Sequence, residues 1–199
     1  KDVGPGDLAA YYSLFLQDNA QFLDASGDER RDNFDIRYAG IRDGFDWDLE
    51  TMGQFGDIGG KNIRAWAVGS RSGYTFADVR WMPRLGLQID AASGDDDPGD
   101  NTLGTFNPLF PNGYYFTLAG YTGYTNLIHL KPSLTVKPTT KLALMIAPGL
   151  QWRETTADAV YVQPDNAVSG TSGKAGQWSG VYVQFRADWE VTPSVRASV

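Results

Sequence analysis

Charged side chains recur at every second position along several stretches of this chain. Asp35 and Arg37 do so in "FDIRY", Asp46, Asp48 and Glu50 in "FDWDLE", Arg84 and Asp90 in "RLGLQID", and Arg186, Asp188 and Glu190 in "FRADWE". Guanidinium groups set out this way can grip a carboxylate through two parallel N–H bonds, and the carboxylates can take cations or donors. The only histidine, His129, keeps the same alternation with Lys131 and Ser133, which admits a nucleophile-and-base reading of a lipase kind. A second cluster, Asp95, Asp96, Asp97 and Asp100, suggests calcium. A helical calcium loop needs a glycine at its sixth position and a glutamate at its twelfth, and counting from Asp95 those places hold Asp100 and Phe106. That motif fails, and no metal set is read from the chain.

Composition removes other chemistries. There is no cysteine, hence no disulfide framework, thiolate site or cysteine nucleophile. No glycine-rich loop ends in Lys-Ser/Thr, so no nucleotide or other cofactor is implied. A net charge of -7 without a basic arm argues against nucleic acid. The 23 glycines and 13% aromatic residues describe many strands and turns.

The elements that must position those charges alternate with period two. In "GVYVQFRADWEV" one face carries Val181, Val183, Phe185, Ala187, Trp189 and Val191, and the other Tyr182, Gln184, Arg186, Asp188 and Glu190. Phe45, Trp47 and Leu49 oppose Asp46, Asp48 and Glu50; Leu85, Leu87 and Ile89 oppose Arg84, Gln88 and Asp90; Ile128, Leu130 and Leu134 oppose His129, Lys131 and Ser133. Strands are expected near 8–18, 32–41, 45–56, 61–72, 83–92, 126–137, 141–153 and 178–191, with another from 194. Soluble strands run about 5 or 6 residues, whereas strands that cross a membrane need about 9 to 11. No apolar run approaches the roughly 20 residues of a spanning helix. The mean hydropathy of -0.34 suits a transmembrane barrel, whose inner face is polar.

Loop lengths alternate as well. Tight links are expected at Arg42-Asp43-Gly44, around Trp81-Met82-Pro83, at Lys137-Pro138-Thr139-Thr140 and at Thr192-Pro193-Ser194. Longer ones are expected at "DASGDERRD", at 93–125 and after Trp152, with a smaller "GDIGGK". Short turns at one end and long loops at the other are the habit of outer-membrane barrels. Trp47, Phe55, Trp152, Trp178 and Trp189 fall near strand ends, where indoles and phenyls form interfacial girdles. The fold class expected is all-β, an antiparallel up-and-down transmembrane β-barrel of about nine strands over residues 1–199 as a single domain. Since single-chain bacterial barrels close with even strand numbers, the chain reads as a fragment, truncated after Val199 and before Lys1.

The stretch "ASGDDDPGDNTLGTFNPLFPNGYYF", followed by "NLIHLKPSLTVKPTTKLAL" and "QWRETTADAVY", resembles the alginate export family of Gram-negative outer-membrane barrels, over about residues 60 to 199. The likeness is most specific in "GTFNPLFP" and "WRETTADAVY". It implies the C-terminal half of a roughly 18-stranded barrel. It also implies an outer-membrane location, contact with lipid, a hydrophilic or polysaccharide substrate such as alginate, and periplasmic export components as partners.

The expected pore lining is mixed: Arg37, Arg84, Lys131, Arg153 and Arg186 with Asp35, Asp48, Glu50 and Asp188. Phe106, Asn107, Pro108, Phe110 and Pro111 form an expected lid, compact because two prolines fix φ; it caps the rim or dips into the lumen as a constriction, and the rim is the favoured place. The function expected is passive passage or export of hydrophilic solute or anionic polysaccharide, without enzyme activity, because His129 falls on the polar side, away from lipid. Two other readings remain at this level: a soluble all-β carbohydrate-binding module, and an outer-membrane hydrolase dependent on His129.

Overall fold

The structure, a computed structural model, describes residues 1–199, the side chain of Asp2 excepted. Among the described residues every regular element is a strand. In order these are β1 (Asp2–Val3), β2 (Gly6–Gln21), β3 (Ser26–Arg42), β4 (Phe45–Ile58), β5 (Lys61–Thr75), β6 (Arg84–Ala92) and β7 (Thr102–Leu103). Then come β8 (Leu127–Thr139), β9 (Leu142–Trp152), β10 (Tyr161–Val162), β11 (Asn166–Ala167), β12 (Trp178–Thr192) and β13 (Val195–Ser198). Each of the nine expected strands is present.

The sheet runs β1-β2-β3-β4-β5-β6-β8-β9-β12-β13 with every neighbour antiparallel, an up-and-down meander that is open at β1 and β13. Short β7 lies parallel to the start of β5, and β10 and β11 make a separate hairpin. Asp43 and Gly44 turn β3 into β4 with φ of 52° and 83°, the two positive values of a type I′ turn, which explains the tight Asp-Gly link.

The sheet is inside out relative to a soluble protein. On one face Phe185 is 69% exposed, Leu16 66% and Val181 62%, whereas Arg31, Asp90 and His129 on the other are fully buried. In water an apolar surface of this extent would be costly; against lipid it is the expected outer wall. Trp178 and Trp189 mark its two edges on β12. Eleven residues apart, they span roughly 36 Å of strand, or roughly 28 Å of height at a tilt of about 40°, close to the ~25 Å apolar band of such walls. Trp152 and Trp178 meet edge to face at 5.3 Å, as do Phe34 and Phe55 at 6.2 Å, while Tyr38, Trp47 and Phe45 group at the turn side.

Two connections depart from the sequence reading. "DASGDERRD" is no long loop, because β3 begins at Ser26 and pairs with β2 through Gln21. Both faces of that strand end are polar: Glu29 and Arg31 point inward, while Arg30 and Asp32 stand on the outer side, where Asp32 accepts from Tyr12 Oη at 2.5 Å. The strand continues beyond the apolar band into a zone polar on both sides, solvated on the outer side and covered by the loops on the inner, so the alternation that reveals strands is lost there. The link near Trp81 spans 76–83 and is longer than a tight turn; Phe76 N donates to Pro83 O at 2.9 Å.

Candidate functional site

On its inner face β5 offers Ile63, Ala65, Ala67, Gly69 and Gly73, all buried and mostly small. Small side chains leave room for something to lie against them, and the segment 93–126 fills it. Phe106 packs on Ala65, Ala67 and Ala92, joined by Met52 and Tyr124. A fully buried phenylalanine is worth about 1.5–3 kcal/mol of apolar transfer. Asn107 is clasped by one amide: Gln54 Nε2 donates to Asn107 O at 2.7 Å, and Asn107 N donates to Gln54 Oε1 at 3.0 Å. At Gly69 the approach leaves no room for a side chain, since a Cβ there would lie 2.8 Å from Tyr115 Oη.

From that point the segment crosses the polar face toward β12. Tyr115 Oη donates to Asp90 Oδ1 at 2.8 Å, and the Arg71 guanidinium covers the Tyr115 ring at 4.1 Å while donating to its carbonyl at 3.0 Å. Phe116 O accepts from Lys131 Nζ at 2.7 Å and from Tyr182 Oη at 2.8 Å; Leu118 N donates to Gln184 Oε1 at 3.2 Å. His129 lies beneath, with Nδ1 2.9 Å from Asp90 Oδ2 and Nε2 2.8 Å from Tyr182 Oη. Of the residues expected to form the lid, Phe106 and Asn107 are docked on the inner face of the sheet. The physical cause is that Phe106 gains an apolar seat on small residues and Phe116 packs among Tyr115, Tyr124 and His129, while the backbone around them finds donors on β4, β5, β8 and β12.

A second layer ties this segment to 153–177. Arg153 donates to the carbonyls of Thr171 at 2.7 Å, Lys174 at 2.6 Å and Gly176 at 2.5 Å. Asp158 accepts from Thr105 Oγ1 at 2.8 Å, Asp95 N at 2.9 Å and Tyr161 Oη at 2.8 Å. Asn126 bridges to Thr155 O, Ala159 O and Thr155 N. "GTFNPLFP" and "WRETTADAVY" thus meet through Thr105 and Asp158. Below them Arg31, wholly buried, donates to Glu29 Oε1 and Gln54 Oε1 at 2.5 Å each and to Thr105 O at 3.3 Å.

The acidic run is pinned from β5, where Lys61 Nζ donates to Asp24 Oδ2 at 2.5 Å and to Pro98 O at 3.0 Å. Burial, reinforced by the neighbouring Asp24, pushes the Asp95 carboxyl up to about 7. Burial likewise pushes Asp165 up to about 6, against a hydrogen bond from Thr125 that opposes it. Burial beside Asp158 raises the Tyr161 phenol.

The residues expected to line a pore stand in two groups. At the turn side Arg37 forks onto Asp48 at 2.6 and 2.7 Å, Arg84 forks onto Asp46, and Arg186 holds Asp188 at 2.7 and 2.9 Å. At the loop side Lys131 and Arg153 are spent on backbone carbonyls, Arg153 at 4% exposure. Arg153 therefore lies beyond the end of β9 as an organiser of 153–177. Asp35 is buried, and Glu50 accepts only a long 3.4 Å bond from Tyr11 Oη. Pro108, Phe110 and Pro111 border a cavity with both carboxylates, and Phe110 is exposed. Ser133 shares the strand face of His129, but both imidazole nitrogens are engaged by Asp90 and Tyr182.

Sequence reasoning passed over Arg31, Asn33, Tyr115 and Tyr124, and gave no role to Gln54 and Tyr182, which parity puts on the polar face. The signal that could have found them was the row of Gly and Ala on one side of β5, opposite Trp66 and Val68, which demands a partner.

No curated protein matches the chain. A family model described as alginate export matches residues 1–199, so the likeness extends through the first four strands as well as the 60–199 stretch that first suggested it. Matched along its whole length, and built as an up-and-down sheet with an apolar outer face, the chain belongs to the alginate export family, a family of outer-membrane transport barrels of Gram-negative bacteria.

Proposed function

We propose that this chain forms part of the wall of an outer-membrane channel through which hydrophilic solute or anionic polysaccharide passes passively, with segment 93–126 as its constriction. The observation that carries this is the pairing of an exposed apolar face with a polar face on which Phe106, Tyr115 and Phe116 are docked. Lipid covers the apolar face, further strands complete the wall, and periplasmic components deliver a polysaccharide if the path exports one. The turn-side charges form Arg–Asp pairs, so a passing uronate meets guanidinium groups already half neutralised. Such a lining favours weak, repeated contacts over a single tight site, which is what conduction needs.

Planar-bilayer recording on the full-length parent tests the reading. Channels are expected, with conductance rising when residues 106–111 are deleted; unchanged conductance would remove the constriction role. Arg37→Glu and Arg186→Glu are expected to shift the reversal potential toward cations, and no shift in either would take those arginines out of selectivity. Recovery of the protein as a monodisperse monomer without detergent would overturn the membrane assignment.

A further inference from the structure

Between the inner faces of β2 to β4 and the "FNPLFPN" turn lies a cavity of about 240 Å³, lined among others by Tyr11, Asn33, Asp35, Glu50, Phe106 and Phe110. One water needs only about 10–15 Å³ measured this way, so the space suits a molecule of several heavy atoms. Its polar wall is unusual. Asp35 is 3% exposed and neither carboxylate oxygen has a well-formed hydrogen bond; its nearest polar neighbours are the Tyr11 hydroxyl, turned to Glu50, and the like-charged Glu50 itself. Asn33 Oδ1 is also buried and unpartnered, its orientation set because Nδ2 donates to Ser13 O and Arg31 O at 3.3 Å each. Of the neighbouring cations, Arg37 is committed to Asp48, and Arg31 gives Nε and Nη1 to Glu29, Gln54 and Thr105 O; its Nη2 has no partner, but Arg31 does not line the cavity.

Buried polar atoms are almost always satisfied, and a buried charge without a partner is costly. The unpartnered atoms that border this cavity are all acceptors. An anion is refused there, and a ligand must bring donors and positive charge. A bare metal ion would find only two carboxylates, in a space far larger than an ion, with Met52, Leu109, Phe110 and Tyr124 contributing much of the wall. Aromatic and apolar walls beside carboxylates recognise a cation carried on carbon.

We propose that this cavity binds a small organic cation, a primary ammonium or guanidinium on an apolar body, with Asp35 and Asn33 accepting its N–H bonds and Glu50 adding charge. The site sits in the path proposed above yet is opposite in sign to a polyuronate, so it gives the channel a separate ligand.

The test is calorimetric titration of the full-length protein in detergent micelles with benzylammonium, benzyl alcohol and calcium. Benzylammonium is expected to saturate one site, with benzyl alcohol at least about ten-fold weaker, the scale of one charge-assisted bond. Asp35→Asn is expected to weaken benzylammonium by a similar factor of about ten, Glu50→Gln by less, and Asp78→Asn, exposed in the 76–83 link, not at all. Equal affinity for the alcohol, indifference to Asp35→Asn, or tighter calcium binding that depends on Asp35 would each overturn the proposal. Should Asp35→Asn fail to fold, the wild-type comparison of ammonium with alcohol and the Glu50→Gln variant decide it. Binding without conductance would sink the channel reading and leave this site standing; conductance without binding does the reverse.

Discussion

The polar face is divided into two halves that use the same residue types differently. Toward the short turns, Arg37–Asp48 and Arg186–Asp188 are ion pairs in which each side chain keeps between 37% and 49% of its surface in solvent. Toward the long loops, Arg31–Glu29 and His129–Asp90 keep none, and Arg153 gives its N–H groups to carbonyls. In high dielectric a charge pair is adjustable and contributes little. Out of water, the same pair holds chain segments in register, because leaving either partner alone is expensive. In the proposed channel the turn side would tune what passes, and the loop side holds segment 93–126 in place.

The largest expected break of this contrast is Arg31→Ala, which strands the buried Glu29 and frees Gln54 and Thr105; about 3–5 kcal/mol should be lost. Arg37→Ala, by comparison, should cost less than about 1 kcal/mol. Urea unfolding of both variants in micelles compares them directly, and equal losses would abolish the division. An intermediate effect is expected from Gly69→Leu, whose side chain collides with Tyr115 and Tyr124. Overpacking at a docked surface costs about 1–3 kcal/mol, and here it should appear as faster hydrogen exchange over 93–126 with the strands unaffected.

The smallest effect is a pH dependence confined to the loops. Asp95 and Asp165 have carboxyls raised to about 7 and about 6, so the docked form binds their protons more tightly than the undocked form does. Their contribution to docking is therefore complete below the ordinary carboxylate range and falls as pH rises through about 6 and then about 7. Amide exchange over 93–126, corrected for intrinsic rates, should be slower at pH 5 than at pH 8. An opposite trend would show that other groups govern the latch.

The strands and their faces were legible in the sequence where one side meets lipid, as in Leu85, Leu87 and Ile89 against Gln88 and Asp90. They were illegible at Ser26–Arg31, where both sides are polar and the alternation carries no signal. The turn-side pairs were half legible: parity put Arg37 and Asp48 on one face, while their bond depends on the register that sets Arg37 opposite Glu50 and Ala39 opposite Asp48. "GTFNPLFP" stood out as ordered, yet its place was left open between rim and lumen, because that place depends on Ala65, Ala67 and Ala92 holding Phe106 and on Gln54 holding Asn107.

By itself the sequence determined which residues alternate, where the chain turns tightly, and that one face is apolar enough for lipid. These follow from the period of a strand and from backbone preferences at Asp-Gly, which act over a few residues. Only the tertiary structure decided that the Phe106 segment folds inward, that Arg31 and Arg153 lock loops, and that Asp35 is left facing a cavity without a partner. Those outcomes rest on contacts between residues tens of positions apart, such as Arg31 with Thr105 and Thr105 with Asp158. No local pattern in a chain records which distant groups will meet.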